Sequence, residues 1–185
     1  MSIKQLNGSY IPNEDRILFR FSTVDNCEYR FWFTRRITLF LLAATEHLVE
    51  KQLEQHHPPS TARAMVEFSQ ESARAQTDLS ATYAAASTFP LGADPITVDD
   101  VRCTLIPDSA SPPKGQARMT LDFILRHGQQ LNLTLALPTL QSMRVLLERL
   151  VTQAQWLQGL PALGKPATPS QPSTEPVALD PKKIH

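Results

Sequence analysis

The chain has 185 residues, 42% of them hydrophobic, and its 18 basic and 18 acidic side chains cancel to zero net charge. That length and apolar content suit one packed domain with appendages and exclude a chain disordered throughout. The balanced charge excludes a global field that would draw the whole chain to nucleic acid or to an anionic membrane.

The first fourteen residues carry a short strand signal at Ser2–Leu6, expected to pair with the strand predicted at Tyr29–Thr34. Asn7-Gly8 and Pro12-Asn13-Glu14 read as breaks. The opening MSIKQLNGSY lacks the apolar centre of a secretory signal, and the longest apolar run, Ile37–Val49, is shorter than the roughly twenty residues a spanning helix needs. A cytoplasmic location without membrane insertion is the expectation.

Ile17, Phe19 and Phe21 alternate with polar neighbours, and so do Tyr29, Phe31 and Phe33. A period of two marks half-buried strands. Both inward sets are odd-numbered, so an antiparallel pair needs an odd loop; Val24-Asp25-Asn26 supplies it, with Asn26 suited to a positive φ. Thr34 is a good N-cap. From there Ile37, Phe40, Leu41, Ala44, Leu48 and Leu53 follow helical spacing, to a stop at His56-His57-Pro58-Pro59.

Residues 58–94 form an Ala-rich helical connector, whose thin apolar stripe reads as Met65, Phe68, Ser72 and Ala75. Either it lies on the domain or it docks into a partner's groove. A strand follows near 96–106, with Val101, Cys103 and Leu105 inward, then an exposed loop at 108–116. Leu121, Phe123 and Leu125 form one strand and Leu131, Leu133, Leu135 and Leu137 the next, with His127-Gly128 as the turn. Thr139 reads as the cap of a helix carrying Leu140, Met143, Leu146, Leu147, Leu150 and Val151, closed by Trp156 and Leu157.

A shift of 104 residues lays Ile17, Phe19 and Phe21 on Leu121, Phe123 and Leu125, and Tyr29, Phe31 and Phe33 on Leu133, Leu135 and Leu137. The expected fold is α+β, an antiparallel sheet packed by two main helices, with a (β)ββα unit used twice. The units are 1–57 and 95–157 within a single domain, 1–157. Residues 158–185 hold six of the fifteen prolines and no aromatic residue. They lack the side chains to offset their ordering entropy and are expected to be a disordered tail.

No catalytic, phosphate-cradling or metal-binding motif occurs, so no cofactor or metal is expected and the chain reads as a non-enzyme. Cys27 and Cys103 read as reduced small hydrophobes. His56-His57 are adjacent, pointing about 100° apart on a helix, and so form no metal clamp. The one notable constellation is Arg20, Arg30, Trp32, Arg35 and Arg36, where basic and aromatic residues interleave away from the core. Arg35 and Arg36 open a helix, where the macrodipole disfavours cations. Carboxylates such as Glu14, Asp15 and Glu28, stacking on Trp32, or an external anion would compensate. The run EDRILFRFST…EYRFWFTRR resembles a short, uncharacterised proteobacterial protein family. That resemblance carries no catalytic residues and implies a bacterial cytoplasmic protein. The leading expectation is a protein–protein interaction or assembly protein, self-associating or with a protein partner; the alternative is a nucleic-acid or anion-binding module using the same arginines.

Overall fold

The computed structural model describes residues 2–106 and 117–158. The elements are β1 (Ile3–Ile11), β2 (Arg16–Thr23), β3 (Glu28–Thr34), α1 (Arg35–Glu54), α2 (Pro59–Gln76), β4 (Ile96–Ile106), β5 (Arg118–Leu125), β6 (Gln130–Ala136) and α3 (Leu137–Gln153). The six strands form one sheet in chain order, antiparallel except for a short parallel contact of β3 with β4 at Phe31–Ile96 and Trp32–Thr97. The fold is α+β. The 158–185 tail beyond Gln158 and the 108–116 loop lie outside the described residues.

The odd-numbered inward sets are buried as alternation requires: Ile17, Phe19, Phe21, Phe31 and Phe33 are fully buried, with Leu121, Phe123, Leu133 and Leu135 on the same side. Phe123 packs edge-on against Phe31 and Phe33, with ring centroids 5.4 and 5.5 Å apart. These rings bridge the two units, which share one core.

The repeat is real in register, with a different offset from the one alternation suggested. Ser22 pairs with Glu28 and Ile124 with Gln130, an offset of 102 for both residues. The same offset carries Thr23, which donates to the Cys27 carbonyl, onto Leu125, which donates to that of Gln129. It carries Asn26 (φ 59°) onto Gly128 (φ 79°) and the start of α1 onto the start of α3. Both hairpins thus close three-residue loops whose last residue is left-handed. An irregularity between Ile3 and Gln5 in β1 matches one between Val98 and Asp100 in β4. The shift of 104 differs by an even number, so it preserved every inward assignment while misplacing each pairing by two residues. Phe31 corresponds to Leu133, not Leu135.

Five other expectations need correction. The first strand runs through Asn7-Gly8 and pairs with β2, not with β3. Gly8 is there for space: a Cβ would meet Leu150 Cδ1 at 2.6 Å, so its absence lets α3 press onto β1. The α3 helix begins at Leu137 without a side-chain cap, Pro138 replacing Thr139 as the starting signal. Thr34 does cap α1, accepting from Ile37 N. On α1 the buried residues include Thr38 and Thr45 while Phe40 is 48% exposed. Both threonines bond back to carbonyls one turn earlier, at Thr34 and Leu41, which makes them tolerable inside. On α2 the buried residues are Ala62 and Val66, one step round from the expected stripe, and Phe68 points outward.

The helices exchange halves. α1 packs chiefly over β4, and α3 chiefly over β1. Between them Arg144, 6% exposed, donates to the Leu42 carbonyl and to Thr45 Oγ1, and pairs with Glu46 at 3.0 Å.

Candidate functional site

The outward side chains of β2 and β3 sit under the connector. Arg20 and Arg30 face each other directly across the hairpin. Like charges placed so repel. Each is occupied by groups of the same chain. Arg20 donates to Asn7 Oδ1 at 2.8 Å and lies over the Tyr83 ring, 4.5 Å from its centre. Arg30 donates to Glu28 Oε1 at 2.7 Å and to the Ala93 carbonyl at 3.0 Å, and lies over Phe89. Glu28 is fully buried, and its second oxygen accepts from Ala86 N at 3.0 Å. These bonds hold the segment Tyr83–Ala93 against the first hairpin.

Burial alone would raise the Glu28 pKa. The bonds from Arg30 and Ala86, with the Arg30 charge, outweigh that penalty and hold it below the ordinary glutamate value. The Tyr83 hydroxyl moves the other way, pushed up by burial and by the nearby Glu28 charge.

Arg35 and Arg36, the cations at the wrong end of α1, also find partners. Arg35 donates to the Trp156 carbonyl at 2.5 Å, just beyond α3, and its charge helps lower the Asp15 pKa. The larger causes of that lowering are hydrogen bonds to Asp15 Oδ1, from Trp156 Nε1 at 2.6 Å and Tyr10 OH at 2.9 Å. Arg36 donates to the Asp99 carbonyl. Trp32 is stacked by Arg16, 5.8 Å from its ring centre. The structure therefore splits the five residues. Arg20 and Arg30 lie together under the connector; Trp32, Arg35 and Arg36 meet different neighbours.

Burial, then the Asp122 charge, push the Cys103 thiol up to about 11, leaving it protonated at neutral pH. Among the described residues no group of three His, Cys, Asp or Glu side chains is placed to hold a metal, and no helix is long and apolar enough to cross a membrane.

Two further surfaces are open. One is the outward side of α2, where Met65 is 40% and Phe68 74% exposed. The sequence leaves this stripe open between the domain and a partner's groove; α2 packs on α1 and α3 through Ala62 and Val66 instead. The other is a cleft of about 760 Å³ along β1 from Ile3 to Tyr10. One wall is α3, with Ser142, Leu146, Arg149 and Leu150; the other runs from the end of α2 through Thr77–Tyr83. It depends on the return of α3 to β1, a long-range contact without a local signal.

No family model matches the chain, and no curated protein or solved structure matches it either.

Proposed function

We propose that this is a non-enzymatic, cytoplasmic interaction or assembly protein that acts by binding another protein chain. The carrying observation is the inverted helix α2. It turns Ala62 and Val66 inward and leaves Met65 and Phe68 in water. Fully burying one such large side chain is worth about 1.5–3 kcal/mol. A rotation of α2 by one position would gain part of that, and the fold forgoes it. A partner surface that covers Met65 and Phe68 recovers it on binding, as aromatic anchors do at interfaces. Two free thiols, Cys27 and Cys103, accord with a reducing compartment.

The test compares wild type with Met65→Asp/Phe68→Asp in affinity capture from the source cell, alongside sedimentation of the purified proteins. Both residues are on the outer surface, so thermal unfolding should change by no more than about 0.5 kcal/mol per substitution. The expected result is a defined protein partner, or self-association, present in wild type and lost in the variant. Identical captured material from both proteins would overturn the reading. So would bound nucleic acid that disappears in an Arg30→Ala/Arg35→Ala/Arg36→Ala variant, which would restore the arginines as the binding surface.

A further inference from the structure

We propose that the cleft beside β1 is a docking site for an extended acidic segment of a partner protein, added to the sheet as a seventh strand with its carboxylates on Lys4 and Arg149. Three observations lead there, none of them involving Met65 or Phe68, so this site stands or falls apart from the reading above.

The first is an open edge. β1 ends the sheet, and alternate backbone N–H and C=O groups of an edge strand point away from their one neighbour.

The second is shape. The edge lies in a recess between α3 and the Thr77–Tyr83 segment, and the recess volume of about 760 Å³ is that of a ligand site. A single extended segment fits between such walls. A second copy approaching edge to edge would bring a whole sheet and the walls of its own cleft. Along the recess, Leu6, Leu79, Leu146 and Leu150 offer apolar contact to every second side chain of an added strand.

The third is charge. Lys4, Arg149 and Asp78 are the charged residues lining the cleft. Asp78 is turned to its own loop, accepting from Ser80 N at 2.8 Å and Ser80 Oγ at 2.6 Å. Among the described residues neither Lys4 nor Arg149 lies within salt-bridge distance of a carboxylate, whereas the nearby Arg74 and Arg144 both pair with Glu148. The cleft thus presents two uncommitted cations and no free anion. Carboxylates on an added strand would meet these cations.

The test titrates the full-length, nitrogen-15-labelled chain with a peptide of alternating valine and glutamate, and with its valine–lysine counterpart. The glutamate peptide should shift the amides of Ile3–Tyr10. Its affinity should fall about tenfold or more in Lys4→Glu/Arg149→Glu, which should take the lysine peptide instead. Both substituted residues are exposed, so the variant is expected to fold. Absence of amide shifts along β1 with either peptide, or equal affinity for both, would overturn the proposal. So would a gain of about tenfold in glutamate-peptide affinity on Glu175→Lys/Asp180→Lys in the full chain, which would make the chain's own C-terminal residues the occupant. Shifts in the β1 amides that follow protein concentration alone, with a sedimenting dimer, would assign the cleft to a second copy and overturn it likewise.

Discussion

The two ββα units share a backbone plan and differ in what they put on it. On the inner side the first unit is aromatic, with Phe19, Phe21, Phe31 and Phe33, where the second has Leu121, Phe123, Leu133 and Leu135. On the outer side the contrast is one of charge. The opposed pair Arg20–Arg30 corresponds, at the offset of 102, to the opposed pair Asp122–Asn132, which hydrogen-bond each other directly. The second pair is complete in itself. The first consists of two cations that repel unless other groups come to them. Those groups are Asn7 from β1, Glu28 from the hairpin, and Tyr83, Phe89 and the Ala93 carbonyl from the connector. One hairpin is self-sufficient on its outer side; the other binds a piece of its own chain there. The comparison makes Arg20 and Arg30 a device for seating the connector, whereas among the described residues nothing covers the outward α2 face or the β1 cleft.

The largest expected effect tests whether the units share a core. Phe123 belongs to the second unit and touches Phe31 and Phe33 of the first. Phe123→Ala should cost about 3–5 kcal/mol and should lower both units together in one denaturant transition. Two separated transitions would show that the halves fold independently.

Next comes the place where α3 crosses onto β1. Gly8→Ala should cost about 1–3 kcal/mol through the contact with Leu150, because a packed side chain must leave its place. The double variant Gly8→Ala/Leu150→Ala should show coupling, costing less than the two single changes added together. Additive costs would mean that the close approach of α3 does not depend on this glycine. The expected value at the counterpart position on β4, Cys103, is small for Cys103→Ala, since a side chain is already accommodated there.

How much of this was readable beforehand follows the range of the interaction. Alternation at Ile17–Phe21 and Leu121–Leu125 gave correct inward faces because it is a property of one strand. The Thr34 cap and the Asn26 turn are equally local. The offset of the repeat is not legible in alternation, because a change of two residues leaves every face unchanged; only cross-strand partners such as Ser22–Glu28 and Ile124–Gln130 distinguish 104 from 102. Asn7-Gly8 looked like a turn because the need for glycine comes from Leu150, more than a hundred residues away. The five arginine and tryptophan positions could be picked out, but their partners Tyr83, Phe89, Ala93 and Trp156 could not, since no local pattern ties a connector loop to a hairpin face.

A smaller effect follows from the seat of the connector. Glu28 is depressed in the folded chain, so its bonds to Arg30 and Ala86 contribute stability fully above its unfolded value, near 4.5. That contribution is lost as pH falls through the lower folded value. Hydrogen exchange of the Ala86 amide should therefore quicken as pH falls below the ordinary glutamate value of 4.5, beyond what the intrinsic chemistry gives, and Glu28→Gln should remove that extra dependence. An Ala86 amide equally protected at all acid pH values would show that the connector is held by something else.

The smallest effect bears most directly on the contrast between the outer faces. Asn132→Asp sets two carboxylates opposite each other on the second hairpin, imitating with negative charge what Arg20–Arg30 does with positive charge on the first. Among the described residues no connector covers that pair: Asn132 is exposed, and the nearest cross-strand cation is Arg102, opposite Asp122 on β4. The cost should be about 0.2–1 kcal/mol at low salt. It should shrink toward zero near 1 M salt, where the screening length falls to about 3 Å. Arg30→Ala should behave differently. Its loss leaves Glu28 buried with one fewer partner, and bulk ions do not reach a side chain that is fully inside. That cost should exceed the Asn132→Asp cost and persist in high salt. If salt erased both costs equally, Arg30 would be an ordinary surface charge and the connector would be seated by its aromatic contacts alone. If salt erased only the Asn132→Asp cost, the two hairpins differ as argued: one carries a solvated polar pair, the other a half-buried ion pair, with Glu28 inside and Arg30 at the surface, that fastens the connector.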